Sequence, residues 1–168
     1  VKIVTDSGSD ITPELAQQLG ITVVPVYLNF GEKVYRDGID MAADELYQRL
    51  ETDPVHPTTS APSPGDFTNT YKKLAKETNA IVSIHISTKL SSTYDAAIQG
   101  KEPLAGAKCK IEVVDSRSVT AGLALITIAA AEAAKAEGSL TQVVEKARKA
   151  IGQVRMLGLL DTLKYLAK

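Results

Sequence analysis

A chain of 168 residues, 44% of them hydrophobic, has the size and apolar content of one folded domain, or of one domain and the start of another. Its 19 basic and 20 acidic side chains nearly cancel, which leaves no basic arm for nucleic acid or an anionic membrane. The Ala-rich uncharged stretch Ser118 to Ala131 falls short of the roughly 20 residues of a spanning helix, no secretory leader is expected, and a single cysteine, Cys109, with two histidines makes a poor zinc set. These features describe a soluble, cytoplasmic α/β protein without a metal.

Short apolar runs alternate with helical ones, the pattern of βαβ units on a mainly parallel sheet with helices on both faces. Val1 to Thr5 reads as a buried strand closed by the polar turn Asp6-Ser7-Gly8-Ser9-Asp10. A helix follows, with Thr12 as N-cap, Pro13 at its first position and Gly20 past its end. Ile21 to Phe30 is strand-like but broken by Pro25, and Gly31-Glu32 suggests a turn into a second strand over Lys33 to Arg36. Asp40 can cap a helix with Ala43, Leu46, Tyr47 and Leu50 on its apolar face. Glu51 to Pro64 holds four prolines and reads as a loop. Ser63, Pro64 and Asp66 open the next helix, and Ala80 to Ile86 is a strongly apolar strand running into Ser87-Thr88-Lys89-Leu90-Ser91-Ser92-Thr93. There Ser92 and Asp95 have the spacing of a capping box. Ile111 to Val114 is a further strand, Val119 to Ala136 a helix apolar on most sides and so expected to be sandwiched, and Ser139 with Gln142 caps a last amphipathic helix. The division expected is one domain over residues 1–154 and the start of a second over 155–168.

In a parallel sheet, ligands bind outside the carboxyl ends of the strands. Three such ends are rich in hydroxyls: Thr5 to Asp10, Ser87 to Thr93 and Asp115 to Thr120. The proline-rich loop adds Thr58, Thr59, Ser60 and Ser63. Neutral hydroxyls beside helix N-termini suit an oxyanion, carboxylate or phosphate. Serines and threonines before helices also serve as plain caps. Ser91 and Thr59 stand out because Ser92 already has the capping spacing and Thr59 lies between prolines. Templates for catalysis fit badly: no nucleophile elbow, Walker A sequence or dinucleotide fingerprint is present. His85, between Ile84 and Ile86, reads as a core histidine, and His56 as a loop residue rather than a base. Asp6 and Asp115 close two strands and could pair as acid and base, although carboxylates at such ends commonly accept loop amides.

Five pieces of the sequence, in this order, resemble the DegV family, also called FakB-type fatty-acid-binding proteins. They are Ile3-Val4-Thr5-Asp6-Ser7, Thr59-Ser60-Ala61-Pro62-Ser63-Pro64, Ile86 to Tyr94, Val113-Val114-Asp115-Ser116 and Asp161 to Leu166. The resemblance implies a non-catalytic carrier of a long-chain fatty acid. Such a carrier presents the carboxylate to a separate ATP-dependent kinase subunit, which makes acyl phosphate for phospholipid synthesis. It needs no cofactor and touches a membrane only transiently. By position, Thr59 and Ser91 are the expected carboxylate ligands, with Ser60, Ser92, Thr93, Asp6 and Ser7 in support. Two residues depart from the family pattern, Ser92 where Gly is usual and Ala61 where Gln is usual. Family chains also continue past the equivalent of Lys168 into a second lobe. The competing readings are a protein-interaction module, in which the hydroxyls only cap helices, and a small phosphate-ester hydrolase or transferase built on Asp6.

Overall fold

The computed structural model describes residues 1–159. Four strands, β1 (Lys2–Asp6), β2 (Ile21–Val24), β6 (Ala80–His85) and β7 (Lys110–Asp115), form a parallel sheet in the order β2-β1-β6-β7. The central strands β1 and β6 are apolar on both faces because both are covered, as parallel sheets require. One face, with Ile3, Val82, Ile84 and Val114, packs on α1 (Pro13–Leu19), α5 (Thr120–Lys135) and α6 (Leu140–Gln153) through Ala16, Leu123, Ile126, Ala130, Val143 and Ala147. The other face, with Val4 and Ile81, packs on α3 (Pro64–Leu74) and α4 (Thr93–Lys101) through Phe67, Tyr71, Leu74, Ala96 and Ala97. Helices on both faces of a parallel sheet are the architecture that the alternation predicts.

Local signals account for most element ends. Thr12 accepts from Leu15 N–H at the start of α1, and Gly20 closes it at φ 68°. Capping boxes form at Ser63 with Asp66 and at Ser139 with Gln142. Three expectations are corrected. Asp40 does not cap α2 (Ala43–Thr52), whose N-cap is Ala42 without a side-chain bond; its carboxylate instead takes both Arg36 Nε and Nη2 at 2.8 Å, a bidentate pair that closes the turn after β4 (Lys33–Arg36). The proline-rich segment is not all loop, for Thr58–Ser60 forms β5. Nor is α5 enclosed on every side, since Leu125 is 58% exposed.

β5 belongs to a second sheet. With β3 (Tyr27–Phe30) and β4 it makes a three-stranded antiparallel unit in the order β4-β3-β5, packed on its own small core of Leu28, Phe30 and Met41. The apparent single strand from Ile21 to Phe30 thus splits at Pro25 between two sheets. This small unit is tied to the main sheet by Val26 N–H, which donates to Ser7 Oγ at 3.0 Å, and by Tyr27 OH, which donates to Asp66 Oδ2 at 3.0 Å. α6 ends at Gln153, residues 154–159 have no regular structure, and most of the expected start of a second domain lies outside the described residues.

Candidate functional site

From β1 the chain goes to β2 on one side and later returns as β6 on the other, so the direction of winding reverses between β1 and β6. The crevice outside the carboxyl ends of two such strands is where open α/β sheets bind ligands. A pocket of about 560 Å³ lies there. Gly8 lines it from the turn after β1, Ile86, Leu90, Ser91 and Ser92 from the turn between β6 and α4, and Val26, Thr59, Ser60 and Ala61 from the small sheet. No lining residue is charged, and the walls mix three serine hydroxyls and one threonine hydroxyl with the apolar surfaces of Val26, Ile86 and Leu90.

The small sheet brings Thr59 to this place. β5 pairs antiparallel with β3, with Leu28 opposite Thr59 and Tyr27 opposite Ser60, and Asn29 Nδ2 donates to Ser60 Oγ at 3.3 Å. Asp66 holds the far end of that segment through Ser63 and Tyr27. Burial tends to raise the Asp66 carboxyl, but the bonds from the Ser63 side chain and backbone and from Tyr27 keep it below its ordinary value. Tyr27 is pushed upward in turn, by burial first and then by the bond to Asp66.

At the start of α4 the two serines exchange the roles that spacing suggests. Ser92 makes no capping bond, whereas Ser91 Oγ accepts from Thr93 N–H at 3.2 Å and lies 2.9 Å from Thr93 Oγ1. The reason is geometric: Leu90 and Ser91 N–H both close onto Ser87 O, and this turn sets Ser91 one residue before the usual N-cap, with its oxygen over the first amide of α4. When Thr93 supplies the proton between the two hydroxyls, the Ser91 proton is left for an acceptor in the pocket. Ser92 sits at φ −82°, ψ 7°, backbone that any residue adopts, so its Cβ is accommodated without strain where the family pattern has Gly.

Of the expected ligands, Thr59 and Ser91 therefore share one pocket with Ser60 and Ser92. Thr93 is buried behind Ser91, and Ser7 is engaged in holding Val26. Asp6 does not face the pocket: it is wholly buried and accepts from Gly8 N–H at 3.1 Å and Ile86 N–H at 3.0 Å, with His85 Nδ1 at 2.9 Å. β6 separates Asp6 from Asp115, which accepts from Thr88 and from Arg117 N–H, so the two carboxylates form no acid–base pair. Gly8, Val26 and Ile86 are lining residues that carry no polar side chain to mark them; the strand-end rule was the one available signal for Gly8 and Ile86. Among the described residues, no group of three metal-ligating side chains is assembled and no helix is long and apolar enough to cross a membrane.

What this arrangement can do is hold a polar, uncharged or anionic head by hydrogen bonds while its walls accept apolar matter. Known proteins of the same build bear on that. A family model described as "Uncharacterised protein, DegV family" matches residues 1–168. A DegV domain-containing protein of Deinococcus radiodurans is 36% identical over 166 residues, 99% of this chain and 58% of the relative. A DegV family protein from Thermus thermophilus, solved in a study of its fatty acid binding, is 32% identical with a TM-score of 0.81, over 90% of this chain and 53% of the other. A stearic acid-binding protein from Eubacterium ventriosum is also 32% identical, with a TM-score of 0.80, over 88% of this chain and 52% of the other. This chain thus spans little more than half the length of these relatives. With its whole length matched and its parallel sheet and helices superposing on theirs, the chain belongs to the DegV family.

Proposed function

We propose that the protein is a non-catalytic carrier of a long-chain fatty acid, which holds the carboxylate between Thr59 and Ser91 and presents it to an ATP-dependent kinase subunit for acyl-phosphate formation. The observation that carries this reading is the uncharged pocket at the β1–β6 crevice, where hydroxyls from two separate sheets converge. Its support from relatives is the fatty acid binding of the Thermus protein and the stearic acid binding of the Eubacterium protein. Hydroxyls satisfy a carboxylate without neutralising it, so the head stays nucleophilic for phosphoryl transfer by the partner. Affinity can come from the tail, since burying each CH₂ contributes about 0.8 kcal/mol. The side chains that could act as base or nucleophile near the crevice, Asp6 and His85, are buried and bonded to one another, which favours carriage over catalysis.

Native mass spectrometry of the intact protein tests the binding: an adduct of fatty-acid mass, lost on organic extraction, is expected. Thr59→Ala combined with Ser91→Ala should reduce kinase turnover of the bound acid more than it reduces loading. Unchanged turnover of acid on the double variant would remove these two residues from the site.

A further inference from the structure

Beneath the pocket floor, four wholly buried side chains form one hydrogen-bonded chain that nothing in the carrier reading employs. Tyr71 OH donates to Ser83 Oγ at 2.8 Å, Ser83 Oγ lies 2.7 Å from His85 Nε2, and His85 Nδ1 lies 2.9 Å from Asp6 Oδ2. Counting protons orders the chain. Tyr71 fills one lone pair of Ser83, whose own proton then goes to Nε2, and an imidazole with its hydrogen on Nδ1 donates to the carboxylate. The opposite tautomer would leave the Ser83 proton without an acceptor and aim a ring lone pair at Asp6. Ser, His and Asp in this order resemble a nucleophilic triad, yet Ser83 is sealed in the core beneath α3 and already bonded to Tyr71, so no substrate carbonyl reaches it.

The output of the chain is at its other end. The two Asp6 oxygens hold Gly8 N–H and Ile86 N–H, and both residues line the pocket from opposite strands. Gly8 approaches closely enough that an added Cβ would stand 2.9 Å from Asp6 Oδ1. Ile86 leads directly into the Ser87 turn that sets Ser91. We propose that His85 is a positioning residue for the ligand pocket: by orienting the Asp6 carboxylate it sets the spacing between the Gly8 and Ile86 backbones, and through Ile86 the placement of the Ser91 hydroxyl. This inference rests on the fatty-acid reading of the pocket. His85 is wholly buried and does not line the pocket; Phe67, edge-on at 4.9 Å between ring centroids, fixes its ring from α3.

The test compares the intact protein with His85→Leu, His85→Asn and Ser83→Ala, reading the Gly8 and Ile86 amide resonances by NMR and the affinities for oleic acid and for its methyl ester. His85→Leu should shift both amides upfield and weaken oleic acid roughly tenfold, while affecting the ester far less. His85→Asn, whose amide can donate in place of Nδ1, should restore most of both signals. Ser83→Ala, which spares the packing, should move them less and in the same direction, and so serves if His85→Leu fails to fold. Unmoved amides, or equal loss for acid and ester with no rescue by Asn, would overturn the proposal. Failure of the unaltered protein to bind oleic acid would overturn the lipid reading instead, with the amide shifts still reporting whether His85 sets the Gly8 and Ile86 backbones.

Discussion

Ser91 meets two demands with one hydroxyl, because an oxygen with two lone pairs can accept the Thr93 amide and still offer a proton. Ser91→Ala should therefore cost about 1 kcal/mol of stability as a lost cap, in addition to any effect on ligand. Ser92→Ala, one residue on, should stay within about 0.5 kcal/mol, since its hydroxyl makes no capping bond. Urea unfolding of the two variants separates the roles, and equal losses would contradict the assignment. Gly100 works at the same scale by having no side chain. α4 lies so close to α3 that an added Cβ would stand 2.5 Å from Phe67 Cβ and 2.8 Å from the Pro64 carbonyl, and Thr68 Oγ1 donates to Gly100 O across the contact at 2.8 Å. Gly100→Ala should destabilise by about 1–3 kcal/mol, because backbone rather than a flexible side chain must move.

Among the elements, α3 shows how a local cap becomes a tertiary joint. Ser63 Oγ accepts from Asp66 N–H at the helix start, and Asp66 returns the bond to Ser63 N–H while also taking Tyr27 OH from the small sheet. The Asp66 carboxyl is held below its ordinary value of 3.8, despite burial, by the Ser63 and Tyr27 bonds. A carboxyl depressed by folding contributes stability above its unfolded value and loses it as the pH falls through the folded one. Thermal midpoints measured from about pH 5 down to pH 2 should therefore fall on the acid side, and Ser63→Ala should flatten that slope. A slope unaltered in the variant would show that the acid sensitivity lies elsewhere. Only the Ser–x–x–Asp spacing of this joint is visible in the sequence; Tyr27 lies far upstream and no local rule connects it.

On the scale of the whole molecule, the site exists because a small antiparallel sheet is hung over the crevice of a larger parallel one. Side-chain bonds that carry that suspension include Val26 N–H to Ser7 Oγ and Tyr27 OH to Asp66 Oδ2. The small core of Leu28, Phe30 and Met41 stays with the suspended unit, apart from the cores on the two faces of the main sheet. Tyr27→Phe should thus speed hydrogen exchange through β3, β4 and β5 while leaving β1 and β6 at the protection of the unaltered protein. Uniform loss of protection in both sheets would mean that the two units open as one.

The sequence by itself determined much of what depends on neighbours within about four residues, the caps expected at Asp40 and Ser92 excepted. That includes the strand and helix periods, the caps at Thr12, Ser63 and Ser139, the stop at Gly20 and the clustering of hydroxyls at strand ends. It also carried the order of motifs by which the family is recognised. Strand order was decided only in the tertiary structure, because pairing joins residues far apart in the chain and periodicity says nothing about which runs become neighbours. Strand order puts β6 beside β1, so His85 meets Asp6 and Asp115 does not. The small sheet likewise carries Thr59 to Ser91, although the whole proline-rich segment around it read as loop. The capping contest between Ser91 and Ser92 was settled by the turn from Ser87, whose shape follows from where β6 ends and not from the serines themselves.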